Sequence, residues 1–141
     1  QSLGDGVFCV HGSPRRPINE YIFPDDATSA PAKLQQIFDR VDRICLVGHT
    51  HVQGVFTDEP AFLTPGELNG CYSFNPKNKV VINVGSVGQP RDRDPRSGYA
   101  ILHADRVEFV RLTYDLQTVI RKVEETGELN AFFGQRLLDG R

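Results

Sequence analysis

Two short apolar runs near the start of the chain predict buried strands. Residues 7–10 (Val-Phe-Cys-Val) run directly into His11, and residues 44–47 (Ile-Cys-Leu-Val) run into Gly48 and His49. Apolar runs of this length that end at turn residues are typical of strands buried on both faces. Each predicted strand therefore ends just before a histidine.

The stretch between these strands predicts a helix. Its apolar residues recur at the spacing i, i+3, i+4 and i+7, and they are Leu34, Ile37, Phe38 and Val41. Ser29 and the pair Ala30-Pro31 can start this helix. A strand–helix–strand order favours a parallel pair with a right-handed crossover, and ligands of such sheets gather at the carboxyl ends of the strands.

The middle of the chain predicts two further strands and a long irregular connection. Residues 52–56 form one candidate strand, and residues 79–84 (Lys-Val-Val-Ile-Asn-Val) form the clearest central strand. Residues 57–78 are rich in Pro, Gly, Asn and acidic side chains, so they predict a loop or an irregular hairpin. Residues 85–90 (Gly-Ser-Val-Gly-Gln-Pro) predict a turn-rich loop after the central strand.

The C-terminal part of the chain predicts a hairpin followed by helices. Apolar runs on both sides of residues 104–106 indicate an antiparallel hairpin over residues 99–112. Asp115 can cap the next helix, which Gly127 can end. The apolar stripe of that helix is Leu116, Val119, Ile120 and Val123.

Composition places the 141 residues among globular proteins and narrows the classes of partner. With 39% hydrophobic residues, 24% charged residues and a net charge of -2, the chain has no broad basic footprint for nucleic acid. No apolar run is long enough to cross a bilayer and no signal segment opens the sequence, which predicts a cytoplasmic protein. The chain starts at Gln1 and enters a strand almost at once, as though it were cut from a longer protein.

The three cysteines are predicted to be reduced thiols. Cys9, Cys45 and Cys71 are odd in number and widely spaced, so they match neither a metal motif nor a disulfide framework. Cys9 and Cys45 lie in apolar runs, where a thiol usually behaves as a small buried hydrophobic group.

A pair of histidines two residues apart is the most informative chemical feature. In Gly48-His49-Thr50-His51, both imidazoles would point to one side of an extended backbone and could serve one ion or two neighbouring ions. An isolated pair of this kind is more often two surface histidines on a half-exposed strand. Here His11 also follows a strand, so three of the four histidines fall at strand ends. This placement favours metal ligation, whereas His103 is predicted to be structural or exposed.

Three motifs carry a resemblance to a known family. They are residues 10–14 (Val-His-Gly-Ser-Pro), 47–51 (Val-Gly-His-Thr-His) and 83–91 (Asn-Val-Gly-Ser-Val-Gly-Gln-Pro-Arg). In order and spacing they resemble the late motifs of calcineurin-like metallophosphoesterases, and most closely the small bacterial and archaeal phosphodiesterase branch. The third motif is the most specific. The likeness extends from Val7 to about Asp115.

The resemblance implies an α/β fold in which residues 1–141 are the C-terminal part of a single calcineurin-like metallophosphoesterase domain. That domain is a four-layer α/β/β/α sandwich. We expect the strands ending at Val10, Val47 and Val84 to share a sheet with the hairpin over residues 99–112, backed by helices. An exposed apolar face is expected where the sandwich is unfinished.

The resemblance also implies a dinuclear centre with two divalent metal ions, for which Mn, Fe, Zn and Ni are all candidates. His11 and His49 would bind one ion, and His51 would bind the other. The family's remaining ligands and its general acid come from earlier Asp-x-His, Gly-Asp and Gly-Asn-His motifs, which this chain lacks. Asp5 is not counted as a ligand because it lies too close to His11 in sequence. No catalytic residue is therefore assigned, and the chain alone is expected to be inactive.

The loop after the central strand has two interpretations. Its backbone N–H groups, the Ser86 hydroxyl and the Arg91 guanidinium could bind a substrate phosphate. Alternatively the loop is a tight turn that only aims the hairpin. Arg15 and Arg16 could also attract phosphate, but a solvated face is the commoner role of adjacent arginines.

The complete protein is expected to be a metallophosphoesterase, a hydrolase that cuts phosphodiesters or phosphomonoesters. The alternative is a non-catalytic protein-interaction scaffold with the same fold. Retention of all three histidines favours the enzyme. A phosphate-ester substrate is the expected partner, nucleic acid ranks last, and substrate choice is expected to depend on residues 57–78.

Overall fold

The computed structural model describes residues 1–141 and contains two β-sheets. The larger sheet has six strands in the order β1-β2-β3-β7-β4-β5, and the smaller has three in the order β6-β9-β8. The strands are β1 Ser2–Gly4, β2 Val7–Cys9, β3 Ile44–Val47, β4 Gly54–Thr57, β5 Ala61–Leu63, β6 Cys71–Ser73, β7 Val80–Asn83, β8 Ser97–Leu102 and β9 Arg106–Leu112.

Helices precede β3 and follow β9. They are α1 Asp26–Ser29, α2 Pro31–Phe38, α3 Leu116–Glu125, α4 Phe132–Gln135 and a short 3-10 helix Arg136–Asp139. The Asp115 side chain accepts a hydrogen bond from the Thr118 N–H, which confirms the predicted cap of α3. None of the helices combines the length and the apolar character that a membrane span requires.

Parallel pairing brings three strand ends to one edge of the larger sheet. β2 pairs with β3 and β3 pairs with β7, both in parallel, and α2 provides the crossover from β2 to β3. The predicted strand–helix–strand unit is therefore confirmed. The loops that carry His11, His49 and Gly85 all leave this sheet at the carboxyl ends of adjacent strands.

The two faces of the larger sheet form separate cores. On one face Cys45, Val47 and Val81 pack against the apolar side of α1 and α2, which includes Leu34 and Ile37. On the other face, the side chains at the alternating positions of the same strands contact the inner side of the smaller sheet. The main members of this second core are Val7, Ile44, Val55, Val80, Ile82, Val107 and Phe109. The layers are thus helix, sheet, sheet.

The outer side of the smaller sheet exposes apolar side chains. Tyr99, Ile101 and Leu112 are 36%, 40% and 52% exposed, while Val107 and Phe109 face the core. This alternation follows from the period of two along a strand. Three large apolar side chains thus face outward from this sheet.

Three details of the sequence prediction are wrong. The hairpin over residues 99–112 forms with β6 a second sheet instead of joining the strands that end near Val47. The strand predicted at residues 52–56 begins at Gly54 instead, since the backbone before it is still part of the loop after β3. Residues 57–78 are neither a plain loop nor a hairpin of their own, because they contain β5, which pairs with β4, and β6, which pairs with β9.

Candidate metal centre

The structure brings His11 and His49 into direct contact. Their ring centroids lie 4.5 Å apart with the ring planes at 62°. The Gly48 N–H donates to the His11 carbonyl oxygen at 3.1 Å, so strand-like pairing between β2 and β3 continues into the two loops. Tyr21 also stacks on the His49 ring, at a centroid distance of 3.9 Å and an angle of 21°. His49 is thus held between a histidine and a tyrosine.

The backbone at the histidine pair is not extended as the sequence interpretation assumed. His49 and His51 both have φ of 62°, in the left-handed region that non-glycine residues seldom adopt. The Thr50 N–H donates to the Gly48 carbonyl oxygen at 2.7 Å, which closes a three-residue turn centred on His49. Such conformations cost about 1–3 kcal/mol per residue and persist only where the surrounding structure imposes them.

Asn83 is the buried residue that imposes this turn. Its side-chain N–H groups donate to the Gly48 carbonyl oxygen at 3.0 Å and to Thr50 Oγ1 at 2.6 Å. Its side-chain oxygen accepts a hydrogen bond from the Gly85 N–H at 3.0 Å. Asn83 is 1% exposed, so these bonds form away from water. One amide therefore joins the loop after β3 to the loop after β7.

Sequence reasoning missed Asn83 as a residue of the site. Its signal was present, because Asn83 is the one polar residue at the end of the apolar strand β7. A buried amide needs hydrogen-bond partners, and at the carboxyl end of a parallel strand those partners are the functional loops. Tyr21 gave no comparable signal, since nothing in the pattern around it indicates contact with His49.

A backbone contact determines which ring nitrogen of His51 is protonated and which is free. Its Nδ1 lies 2.7 Å from the Gln89 carbonyl oxygen, which can only accept, so Nδ1 carries the proton. The Nε2 lone pair of His51 is then available to a ligand when the ring is neutral. Metal-binding histidines are commonly oriented in this way by a carbonyl on the second nitrogen.

The environment favours the neutral form of two of the histidines. Burial lowers the pKa of His49, and electrostatic interaction with His11 and Arg91 lowers it further, against a hydrogen bond to the Asn19 backbone. Burial also lowers the pKa of His51, against its bond to Gln89, with smaller contributions from Arg91, His49 and His11. Neutral imidazole is the form that binds a metal ion.

The donor set fits part of a metal centre. The three loops supply imidazole nitrogens from His11, His49 and His51, and the geometry at His51 leaves one of them free. However, no group of three or more His, Cys, Asp or Glu side chains among residues 1–141 is arranged to hold an ion. A hard divalent ion also prefers carboxylate oxygens, and none approaches these rings through a hydrogen bond or ion pair.

Asp5 and His103 lie at the other edge of the sheet. Both line a cavity beside Ile44, the first residue of β3, whereas the candidate centre follows the last residue of that strand. The His103 ring is 3.4 Å from the Glu108 carboxylate and is partly exposed. Asp5 thus lies near the start of β3, whereas His49 follows its end.

Ser86 and Arg91 occupy the loop after β7. The Ser86 hydroxyl oxygen accepts a hydrogen bond from the Gln89 N–H at 2.9 Å, so it shapes the turn and keeps its own hydrogen free to donate. The Arg91 guanidinium donates to Gln89 Oε1 at 2.6 and 3.2 Å, and its charge lowers the pKa of both His49 and His51. The loop therefore places a cation beside the imidazoles.

Arg15 is already paired inside its own loop. Its guanidinium contacts Glu20, which also accepts a hydrogen bond from the Ser13 hydroxyl. Arg16 is exposed. This network folds residues 12–20 back on themselves beside His11.

Comparison with known proteins places this geometry in context. Residues 3–107 match the model of the calcineurin-like phosphoesterase superfamily domain. The chain is 33% identical to an uncharacterised protein from Methanocaldococcus jannaschii, over 98% of this chain and 53% of that protein. The chain thus spans about half the length of the curated relative that it matches.

Two solved structures align with almost the whole chain. A metallophosphoesterase from Sphaerobacter thermophilus aligns with a TM-score of 0.83 and 34% identity, over 99% of this chain and 57% of that one. A hypothetical protein from Pyrococcus horikoshii aligns with a TM-score of 0.64 and 19% identity, over 96% of this chain and 46% of the other. The second likeness is one of fold alone.

Proposed function

Because the chain belongs to the calcineurin-like phosphoesterase superfamily, we propose that the complete protein is a metal-dependent phosphoesterase whose centre includes His11, His49 and His51. The observation that carries this proposal is the contact between the His11 and His49 rings at 4.5 Å, beside a His51 whose Nε2 is free.

In the proposed centre His11 and His49 bind one of two divalent ions and His51 binds the other. Divalent ions in such a centre activate water and stabilise negative charge on phosphoryl oxygens. Within this chain the Gln89 carbonyl orients the His51 ring, and the Asn83 amide holds the loop that carries His49 and His51. Carboxylate ligands and a general acid would come from a further segment of the complete protein. The relative from Methanocaldococcus jannaschii is about twice as long as the segment that it shares with this chain.

We assign substrate binding to the loop after β7. Arg91 carries a fixed positive charge beside the imidazoles, which suits a phosphoryl oxygen better than it suits a cation. The Ser86 hydroxyl retains a hydrogen to donate, and the adjoining backbone N–H groups add further donors. Both diesters and monoesters satisfy this chemistry.

The test is hydrolysis by the complete protein, at the length of its relatives, of bis-p-nitrophenyl phosphate and p-nitrophenyl phosphate with added Mn²⁺. Wild type should hydrolyse at least one ester, and chelation should stop it. His49→Ala should lose activity, because a metal ligand is missing, while circular dichroism stays unchanged. His103→Ala is the matched control and should retain full activity, since His103 lies at the opposite edge of the sheet.

Two outcomes would reject the proposal. One is a folded complete protein that cleaves neither ester with Mn²⁺, Fe²⁺, Zn²⁺ or Ni²⁺. The other is a His49→Ala variant as active as wild type. The first outcome would favour the alternative of a protein-interaction scaffold with the same fold.

A further inference from the structure

We propose that Arg111 and Asp92 form a positioning pair through which the smaller sheet sets the orientation of the His51 ring. This inference rests on the proposed function, because it treats His51 as a metal ligand. Arg111 lies on β9 of the smaller sheet, whereas His51 lies in the loop after β3 of the larger one. Asp92 connects them.

Residues 89–92 and 51–53 are tied side by side by three hydrogen bonds. His51 Nδ1 donates to the Gln89 carbonyl oxygen at 2.7 Å. The Arg91 N–H donates to the His51 carbonyl oxygen at 3.1 Å, and the Gln53 N–H donates to Asp92 Oδ2 at 3.4 Å. The direction of the His51 ring therefore depends on where residues 89–92 lie.

Arg111 is the group that fixes residues 89–92. Its guanidinium forms an ion pair with Asp92, and the two side chains are only 13% and 15% exposed. The same guanidinium donates to the Arg96 carbonyl oxygen at 3.2 Å, so it holds the chain on both sides of residues 93–95. A Cβ at Gly98 would lie 3.1 Å from the guanidinium, so the glycine leaves the space that Arg111 occupies.

The Asp92 carboxylate has few other partners. Its Oδ1 is buried and makes no hydrogen bond, and its Oδ2 receives only the long bond from Gln53 besides the contact with Arg111. A carboxylate this little exposed that loses its cation must move towards water. That movement would displace the segment that includes the Gln89 carbonyl. His51 would then lose the acceptor that selects its tautomer.

A merely structural salt bridge between the two sheets would behave differently. It would change the stability of the protein but leave the His51 ring and the metal affinity as they are. The decisive readouts are therefore the tautomer of His51, observed by ¹⁵N NMR of the complete protein without metal, and the dissociation constant for Mn²⁺.

The variants are Arg111→Gln and Arg111→Lys, with Arg106→Gln as the matched control. Arg106 is on the same strand but pairs only with the exposed Asp105. We expect Arg111→Gln to lose the single Nδ1–H tautomer of His51 and to weaken Mn²⁺ binding by about 10-fold or more, as second-layer changes at metal sites do. Lysine keeps the charge but lacks the planar guanidinium, so the Mn²⁺ affinity of Arg111→Lys should lie between those of wild type and Arg111→Gln. Arg106→Gln should match wild type.

Asp92→Asn covers the case in which Arg111→Gln does not fold, because it removes the charge with almost no change in shape. A wild-type tautomer together with an Mn²⁺ dissociation constant within about twofold of wild type, in either folded variant, would overturn the inference, whatever the loss in melting temperature. If the wild-type protein itself neither binds Mn²⁺ nor cleaves esters, the proposed function fails. In that case, the His51 tautomer in the Arg111 and Asp92 variants still tests whether this pair positions the ring.

Discussion

The Gly48 N–H donates to the carbonyl oxygen of His11 at 3.1 Å. This bond extends the parallel pairing of β2 and β3 by one step beyond the strands, and it sets the His11 and His49 rings 4.5 Å apart. The rings meet because two neighbouring parallel strands end together. The left-handed turn at residues 49–51 then directs His51 towards the loop after β7.

Asn83 is predicted to be the main buried polar support of this turn. Asn83→Ala leaves the Gly48 carbonyl, the Thr50 hydroxyl and the Gly85 N–H without their partner. The free energy of unfolding should fall by about 1–3 kcal/mol, the range for unsatisfied buried groups. Urea denaturation measures this change, with the exposed Asn75→Ala as control. An equal effect of the two substitutions would contradict the role given to Asn83.

Two glycines of the loop after β7 should differ in their tolerance of a methyl group. Gly85 has φ of 84°, and a Cβ there would lie 2.7 Å from the Gln53 side chain, whereas Gly88 has open space around its Cβ position. Gly85→Ala should destabilise the protein by more than about 1 kcal/mol, and Gly88→Ala should be neutral or slightly stabilising. Thermal unfolding of the two variants tests this. A neutral Gly85→Ala would show that the loop rearranges freely.

The contribution of Glu20 to stability should depend on pH. The hydrogen bond from Arg15 lowers the pKa of Glu20, with a smaller contribution from the Ser13 hydroxyl, against the effect of burial. A lowered pKa means that the stabilisation is fully present above the unfolded value of about 4.3 and is lost as pH falls through the folded value. The stability advantage of wild type over Glu20→Gln should therefore be constant from pH 7 to about 5 and shrink below about 4.3. An advantage that persists unchanged at pH 2.5 would refute this.

Cys45 should resist thiol reagents in the folded protein. Its side chain is fully buried, and burial raises the pKa of the thiol to about 12, so almost no thiolate exists at pH 8. Alkylation with iodoacetamide followed by mass spectrometry should modify the half-buried Cys71 well before Cys45. All three thiols should react in urea. Native labelling of Cys45 at the rate of Cys71 would show that β3 opens readily.

The sequence predicts those elements of the fold whose patterns are local. The strand signal of residues 44–47 and the cap at Asp115 depend on neighbouring residues, and both are observed. The partner of a strand is a long-range property, so the hairpin over residues 99–112 could be recognised but not assigned to its sheet. In the same way, histidine spacing alone could not reveal the left-handed turn, because that turn depends on the distant Asn83.

We propose that His11, His49 and His51 bind metal together. The most direct measurement is the metal content of the complete protein, purified after growth with Mn²⁺ and determined by inductively coupled plasma mass spectrometry. Wild type and His103→Ala should carry the same stoichiometric amount of metal, up to two ions per chain, and His49→Ala should lose most of it while remaining folded. Equal metal content in wild type and His49→Ala would contradict the claim, as would a folded wild-type protein that carries no metal.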